Sequence, residues 1–588
     1  MLFSELASYY QKLEDVSSRL KMIDIMAEAF KNAGKDEIKS IIYMTEGVLA
    51  PAFEGLDFGV AEKLLEEAIA IATGLKKESV EKAYKKYGDM GTAAQELISQ
   101  SKLKRMSSRR YSVLEVYSTM SKIAATSGSG SKDAKIKMLA ELLAGSSPEE
   151  AKYLARYPIG QLRLGAGDST ILEALSVAFT GSRDVKAELE NAYNICSDLG
   201  YVGEVLSKKG IEEIRSLKVG LFRPIRPALA ERLPTAEAIL KKMGGKCAVE
   251  QKYDGFRCQV HKFGKKVKIY SRNLEETTDM LPDIAKAVIN EIPEERIIFE
   301  GEALGMNEAT GEFLPFQETI QRKRKHGITE KIEEMPLHLV AFDIMYLNGK
   351  DLMGEPYEKR RGILEGAVKS AKMITPSKRI ITESPKELEE FFETSIEGGL
   401  EGIVAKDLNA PYIAGARKFS WIKMKRSYKG ELSDTLDLVI VGYFLGRGSR
   451  TEFKFGGLLC ASYNKKRDMF ETISKIGTGF TEANMSAFYE LLSKAVVKQK
   501  PVRVDSLITP DFWIEPKYVV TVKADEITKS PMHTCGMHEE KGEKVGYALR
   551  FPRIVGDGFI RKDKSPEDAT STLEVIEIFK NQKRVSVK

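Results

Sequence analysis

The hydrophobic spacing of this chain changes character near residue 221, and no single layered domain accommodates both patterns. Before that point apolar residues recur every three or four positions. Examples are Leu20, Ile23, Ile25, Met26, Ala29 and Phe30, then Leu64, Leu65, Ala68 and Ile69, then Met138, Leu139, Leu142 and Leu143. Such spacing predicts amphipathic helices, so an all-α domain is expected over residues 1–218. Its breaks are polar and Gly-rich: Ala33–Asp36, Thr126–Asp133 and Gly145–Pro148. The last offers Ser146 or Ser147 as an N-cap, with Pro148 at the start of the helix and Glu149 and Glu150 in its first turn.

At Leu221-Phe222-Arg223-Pro224-Ile225-Arg226-Pro227 two prolines force the preceding arginines into extended backbone, which marks a boundary. Short β-type runs follow, among them Val267–Ser271, Ile297–Glu302 and Leu337–Asp343, interleaved with helical segments. An α+β domain is expected over 219–428. A third change comes after Lys429-Gly430-Glu431. Beyond it short strands alternate with Gly turns, as in Leu436–Tyr443, Gly456–Leu459, Lys475–Gly477, Tyr518–Val522 and Tyr547–Phe551. Strands of that size predict a small β-barrel of the OB-fold type over 429–588.

Composition sets limits on function. The chain has 588 residues, enough for several independent cores. At 43% hydrophobic and 30% charged it reads as a soluble globular protein, and no run approaches the ~20 apolar residues of a membrane span. The start, Met1–Leu6, has no basic stretch leading into an apolar one, so no signal peptide is expected. A cytoplasmic location follows, nucleoid-associated if the cell is prokaryotic. The five cysteines, Cys196, Cys247, Cys258, Cys460 and Cys535, are widely separated and include no Cys-x-x-Cys pair. Buried, reduced thiols are expected in place of a disulfide framework or a four-cysteine zinc site. His533-Thr534-Cys535-Gly536-Met537-His538 lacks a fourth ligand at suitable spacing and is read as a loop. The net charge of +6 is too mild to name a partner. Locally, Lys102-Leu103-Lys104-Arg105-Met106-Ser107-Ser108-Arg109-Arg110 gathers five cations in nine positions, a pattern suited to phosphates.

The chemistry is concentrated in the middle of the chain. Glu250-Gln251-Lys252-Tyr253-Asp254-Gly255-Phe256-Arg257 sets a lysine at the end of a hydrophobic strand, two residues before an Asp-Gly turn. After it come, in order, Ser271-Arg272-Asn273, Phe299-Glu300-Gly301-Glu302, Phe342-Asp343-Ile344-Met345-Tyr346, Glu401-Gly402-Ile403-Val404-Ala405-Lys406 and Trp421-Ile422-Lys423-Met424-Lys425. Arg550-Phe551-Pro552-Arg553 stands near the end. Six motifs in this order are a strong signal where any one is weak.

On these residues the chain resembles the ATP-dependent DNA ligases of the archaeal and eukaryotic replicative type, members of the covalent nucleotidyltransferase superfamily. The resemblance implies a DNA-binding helical domain, a middle adenylation (nucleotidyltransferase) domain and an OB-fold domain that together seal nicks in DNA replication, repair and recombination. It implies Lys252 as the nucleophile that carries AMP. A lysine attacks phosphorus only when neutral, and its ordinary pKa is ~10.4. A cation ~5 Å away at an effective dielectric of ~20 would lower that by about two units, so Lys423, Arg257 or a bound Mg²⁺ is expected beside it. Arg257, Arg272 and Arg417 are candidates for the phosphates or ribose, since the guanidinium fork makes two parallel bonds. Glu302 and Glu401 are candidates for Mg²⁺, with Mn²⁺ as a substitute, and Glu302 also for a ribose hydroxyl. Phe342 would stack on adenine, and Glu250 or its backbone would read the adenine amino group. Lys423 and Lys425 share a strand face and both can point into the cleft. Arg550 and Arg553 would clamp pyrophosphate.

The expected partner is nicked double-stranded DNA, contacted without sequence preference by Lys104, Arg105, Arg109, Arg110 and Arg163, the last within Gly160–Gly165. A sliding clamp is a further partner implied by the resemblance, with no residues assigned, and a monomer is expected. An RNA ligase or mRNA-capping-type nucleotidyltransferase shares the lysine chemistry but has no need of so large a helical domain before it. An NAD-dependent ligase is disfavoured by the missing four-cysteine site. A catalytically silent nick-binding protein is disfavoured by the presence of Lys252, Glu302 and Lys423.

Overall fold

The structure is a computed structural model, and it describes residues 1–101, 109–160, 162–307, 312–313, 336–369, 371–398, 400–425, 435–446, 453–540, 542–555, 560–561 and 563–584. The chain divides into two compact units. The first comprises Met1–Glu231, Lys241–Glu383 and Ala405–Ile422, and the second Arg232–Leu240, Ser384–Val404 and Lys423–Lys588.

Among the described residues, the first unit up to Ser216 is built of helices, from Phe3–Glu14 to Ile211–Ser216. Sequence signals set the helix ends. Ser147 caps Pro148–Arg156 and Ser112 caps Val113–Ala125, each in a reciprocal box with the glutamate three residues on. The apolar faces merge into one core that runs from Phe3 and Leu6 through Ile41, Leu65 and Leu142 to Leu206 and Ile214. The proline-marked connection is fully engaged. The Phe222 N–H donates to His261 Nδ1 at 2.9 Å, and Gln259 brackets Ile225 through both its main-chain groups. On the helical side Arg226 pairs with Asp168 at 3.0 Å and lies over the Tyr193 ring. The extended backbone that the prolines impose thus places main-chain donors against strand Phe256–Phe263 and cationic side chains against helices.

Two sheets follow. One has the strand order Lys266–Tyr270, Phe256–Phe263, Arg296–Asn307, Leu337–Leu347 and Lys350–Asp351, with Ile374–Pro376 added parallel to Leu337–Leu347. Its core packs Val260, Ile297, Phe299 and Leu339 against Ile284 and Val288 of helix Pro282–Glu291 and Leu364 of helix Tyr357–Ala367. The other has the order Leu229–Arg232, Arg417–Lys425, Gly402–Lys406, Cys247–Lys252 and Arg379–Thr382. Cys247–Lys252 continues through Tyr253–Gly255 directly into Phe256–Phe263, so the Lys-Tyr-Asp-Gly turn is where the chain passes from one sheet to the other.

In the second unit an antiparallel set runs Val496–Val497, Phe512–Lys523, Leu436–Phe444, Gly457–Asn464 and Met469–Ile476, with Val504–Asp505 parallel at its edge and Arg553–Ile554 beside Phe512–Lys523. A three-stranded sheet orders Glu526–Ser530, Glu543–Arg550 and Cys535–Glu540. Helices Glu482–Ser493 and Thr572–Arg584 contribute Phe488, Leu492 and Val575 to the core formed with Leu438, Leu458 and Val520. All five cysteines are buried and unbridged. Among the described residues no helix is long and apolar enough to cross a membrane.

Candidate active site

The candidate nucleophile is the last residue of a buried strand. Lys252 is half-buried, and the turn after it runs against strand Arg296–Asn307, where Gly255 donates its N–H to Glu302 Oε1 at 3.3 Å. A Cβ on Gly255 would lie 2.3 Å from the Ala303 carbonyl oxygen, so only glycine permits that approach. Burial is the leading cause that holds the Lys252 amine below the usual lysine range, and Arg272 and Arg257 add to it. Glu302 and Asp254 act in the opposite sense. The sequence reasoning looked to a neighbouring cation for this effect; desolvation contributes more. Burial pushes the Glu302 carboxyl above the usual range, while Lys252 and then Arg257 pull it down. Lys252 and Glu302 therefore face each other across the sheet junction as an interacting pair.

Arg257 lies opposite Glu302 in the strand register, but its guanidinium is directed elsewhere. Nε and Nη2 bond Glu300 at 3.2 and 2.8 Å, and Nη1 bonds the Ala228 carbonyl at 2.9 Å. Glu300, with 1% of its surface exposed, also accepts from the Tyr412 hydroxyl at 2.8 Å. The fork expected to grip phosphate is thus committed to a buried carboxylate, and Arg257 reaches Lys252 through its charge. Arg272 is exposed in the turn after Lys266–Tyr270. Phe342 is half-buried, its ring centroid 6.1 Å from that of Trp421 in an edge-on arrangement. Glu250 is buried, and its carboxylate accepts from the Tyr357 hydroxyl, from Arg361 Nη1 at 3.3 Å and from Ser377 Oγ at 2.8 Å, with Lys406 Nζ 3.1 Å away. A carboxylate has about four acceptor sites, so protein donors fill this one.

Lys252, Glu302, Arg257, Phe342 and Glu250 are brought together in the first unit, and Arg272 acts on Lys252 electrostatically. Arg417 begins strand Arg417–Lys425 in the same unit. Lys423, Lys425 and Glu401 belong to the second unit. There Lys425 Nζ pairs with Glu401 Oε1, so the lysine expected to point into a cleft and the carboxylate expected to hold metal are engaged with each other. Arg550 pairs with Glu526 at 2.6 Å and Arg553 with Asp525 at 2.8 Å. In the helical region Arg109 is exposed, 3.3 Å from Glu115 and stacked over Tyr111, and Arg110 is exposed beside it. Arg163 takes a left-handed backbone (φ 58°), and its guanidinium lies 3.8 Å from Asp89. Lys104 and Arg105 lie outside the described residues.

Sequence reasoning missed Glu300, Tyr412, Arg361 and the acidic pair Asp525-Glu526. Glu300 had a readable signal, because it stands two residues before Glu302 on the same strand face. The others come from distant segments with no local pattern.

Three family descriptions match the chain in order: DNA ligase N terminus over 2–176, ATP dependent DNA ligase domain over 227–425 and ATP dependent DNA ligase C terminal region over 451–564. The chain is 49% identical to a probable DNA ligase of Dictyoglomus turgidum over 587 residues, covering 100% of this chain and 99% of that one. It is 41% identical to a DNA ligase of Cenarchaeum symbiosum over 587 residues, with the same coverage. The solved structure Pmar-Lig_Pre superposes with a TM-score of 0.58 at 17% identity, covering 95% of this chain and 99% of that one, which establishes a shared fold. With helical, two-sheet and C-terminal β regions in the order of those three descriptions, and a lysine whose pKa is held below the usual range at the junction of the two sheets, the chain belongs to the family of ATP-dependent DNA ligases.

Proposed function

We propose that Lys252 is the residue through which this ligase seals nicks in duplex DNA. In the first step its neutral amine attacks the α-phosphorus of ATP; the N–P bond forms, the P–O bond to pyrophosphate breaks, and the amine proton passes to solvent. AMP then passes to the 5′-phosphate of the nick, and the 3′-hydroxyl displaces it as the phosphodiester forms. The observation that carries the assignment is the place of Lys252 at the end of its strand, facing Glu302, with its amine held below the usual lysine range chiefly by desolvation, the direction lysine nucleophiles require.

The other roles are proposals of the same standing. Phe342 offers the base a ring face, Glu250 its surroundings, and Arg272 and Arg417 are the phosphate or ribose ligands. Arg257 orients Glu300 and repels a proton from Lys252. Lys423 is a candidate nucleotide ligand. Glu302 suits a hard divalent ion, Mg²⁺ or Mn²⁺, which when bound would neutralise phosphate charge; Glu401 would first have to leave Lys425. We read 1–218, 219–428 and 429–588 as DNA-binding, adenylation and OB-fold domains, the last on the strength of its antiparallel, bulged sheet. Arg109, Arg110 and Arg163 are offered to DNA phosphates, and the protein acts inside the cell on nicked duplex.

Incubation with α-labelled ATP and Mg²⁺ tests the central claim. The full-length protein should become labelled and Lys252→Arg should not, because a guanidinium stays protonated near neutral pH. A band that survives the substitution places the nucleophile elsewhere.

A further inference from the structure

Strand Leu337–Leu347 is irregular at the residue that faces the base. Glu300 pairs with Asp343 and Gly301 with Ala341, so Phe342 stands between them without an opposite residue. A bulge of this kind takes the extra residue out of the ladder and re-aims its side chain. Ala341 and Asp343 are buried while Phe342 is half-buried, consistent with a ring turned toward the site. The Phe342 carbonyl accepts a hydrogen bond from Lys406 Nζ at 2.8 Å. The same Nζ is 3.1 Å from Glu250 Oε2.

Lys406 is 1% exposed. Its ammonium sits 4.3 Å from the Trp421 ring centroid, 5.0 Å from that of Tyr357 and 5.1 Å from that of Phe342. A buried ammonium is costly unless partners compensate it; here a carboxylate, a carbonyl and aromatic faces do so. Ordinary packing does not require a charge at this point, since a methionine would fill the space between the rings.

We propose that Lys406 is a positioning residue for adenylation: by bonding the Phe342 carbonyl and the Glu250 carboxylate together, it fixes the base-stacking ring and the strand that ends in Lys252 in one geometry. The proposal rests on the reading of Lys252 as nucleophile and Phe342 as base platform. It extends to base choice. Four donors converge on the Glu250 carboxylate, and their arrangement sets how the purine edge meets this corner of the slot. Because these protein donors fill the carboxylate, what they hold in place for the base is the main chain of strand Cys247–Lys252, which would meet a 6-amino donor and a 6-oxo acceptor differently, so loosening the corner weakens the distinction.

Lysyl-AMP formation is measured on the full-length protein with labelled ATP and with labelled ITP, which differs at the 6-position. Lys406→Met is expected to raise the KM for ATP about tenfold with a smaller fall in kcat, and to narrow the preference for ATP over ITP about fivefold. Lys406→Arg, which keeps the charge, recovers part of both. Should Lys406→Met fail to fold by circular dichroism, Ser377→Ala removes another donor from the same Glu250 oxygen without changing charge, and it should raise the KM about threefold. Unchanged KM and unchanged ATP/ITP ratio in the folded variants, with the native protein labelled, overturn the positioning role alone. Absence of label from the native protein overturns the nucleophile reading and the proposal with it.

Discussion

Gly255→Ala isolates a steric requirement of the site from its chemistry, because alanine adds no charge and no hydrogen-bonding group. The new Cβ would stand 2.3 Å from the Ala303 carbonyl oxygen and 2.6 Å from Leu304 Cδ2, where ordinary contact begins at 3.4 Å. Either the turn or the strand must therefore retreat by about 1 Å. Ala303 is wholly buried and paired with Phe256, so the strand resists and the turn moves, carrying Lys252 away from Glu302. Misplacement by ~1 Å costs about 100-fold in rate, close to 2.7 kcal/mol in the barrier. The accompanying overpacking should lower stability by about 1–3 kcal/mol. Single-turnover labelling with α-labelled ATP reads the first quantity and thermal unfolding the second. Gly366→Ala is the control: it lies in helix Tyr357–Ala367 with no atom within 4 Å of its new Cβ, and it should raise stability by about 0.5–1 kcal/mol without slowing adenylation. Adenylation by Gly255→Ala within threefold of the native rate would refute the claim that this approach sets the geometry of Lys252.

Two further expectations follow from charge. His261 accepts the Phe222 N–H on Nδ1 and meets Gln259 through Nε2, and burial pushes its pKa down to about 3 from an ordinary 6.5. The unfolded chain therefore binds a proton that the folded one refuses, so this group's stabilisation is complete above pH 6.5 and is lost as the pH falls toward 3, at up to about 1.4 kcal/mol per pH unit. His261→Gln should be less stable at pH 7 yet lose about 2 kcal/mol less than the native protein between pH 6.5 and 5 in denaturant titrations; parallel curves would count against it. In the second unit, Asp525→Asn with Glu526→Gln releases Arg553 and Arg550 from half-exposed pairs worth ~0.5 kcal/mol each. If those arginines serve pyrophosphate, adenylation by the double variant should speed up by about fivefold, and slower adenylation would show that the acids serve the reaction themselves.

Local signals in the sequence carried much of the architecture. Three- and four-residue spacing announced the helices before Ser216, and Ser147 with Glu150 announced one helix start. Prolines 224 and 227 announced the change of class, although not that the segment between helices and sheets would be tied down by Gln259 and His261, since those partners lie more than thirty residues away. The candidate site was legible to the extent that its residues fall in short ordered motifs. What the motifs do not encode is the partner of each charge. Arg257 was read as facing phosphate because arginine suits phosphate; its register partner is Glu302, yet its guanidinium runs diagonally to the buried carboxylate of Glu300, two residues along the same strand, a contact no local pattern announces.

The slot is heavily charged for a buried place. Arg360 pairs with Asp343 with neither side chain exposed, Arg257 with Glu300, and Arg361 and Lys406 with Glu250. Pairs of this kind add little net stability, because desolvation offsets most of their attraction. They do, however, fix positions, since removing either member leaves an uncompensated charge. The three acids lie on three adjoining elements, strands Cys247–Lys252, Arg296–Asn307 and Leu337–Leu347, which carry Lys252, Glu302 and Phe342 respectively. Each element that bears a candidate catalytic or base-facing residue is thus locked by its own buried ion pair within two residues of it. That spacing is what a site would need if its rate depends on holding an amine, a carboxylate and a ring to within a fraction of an ångström before ATP enters.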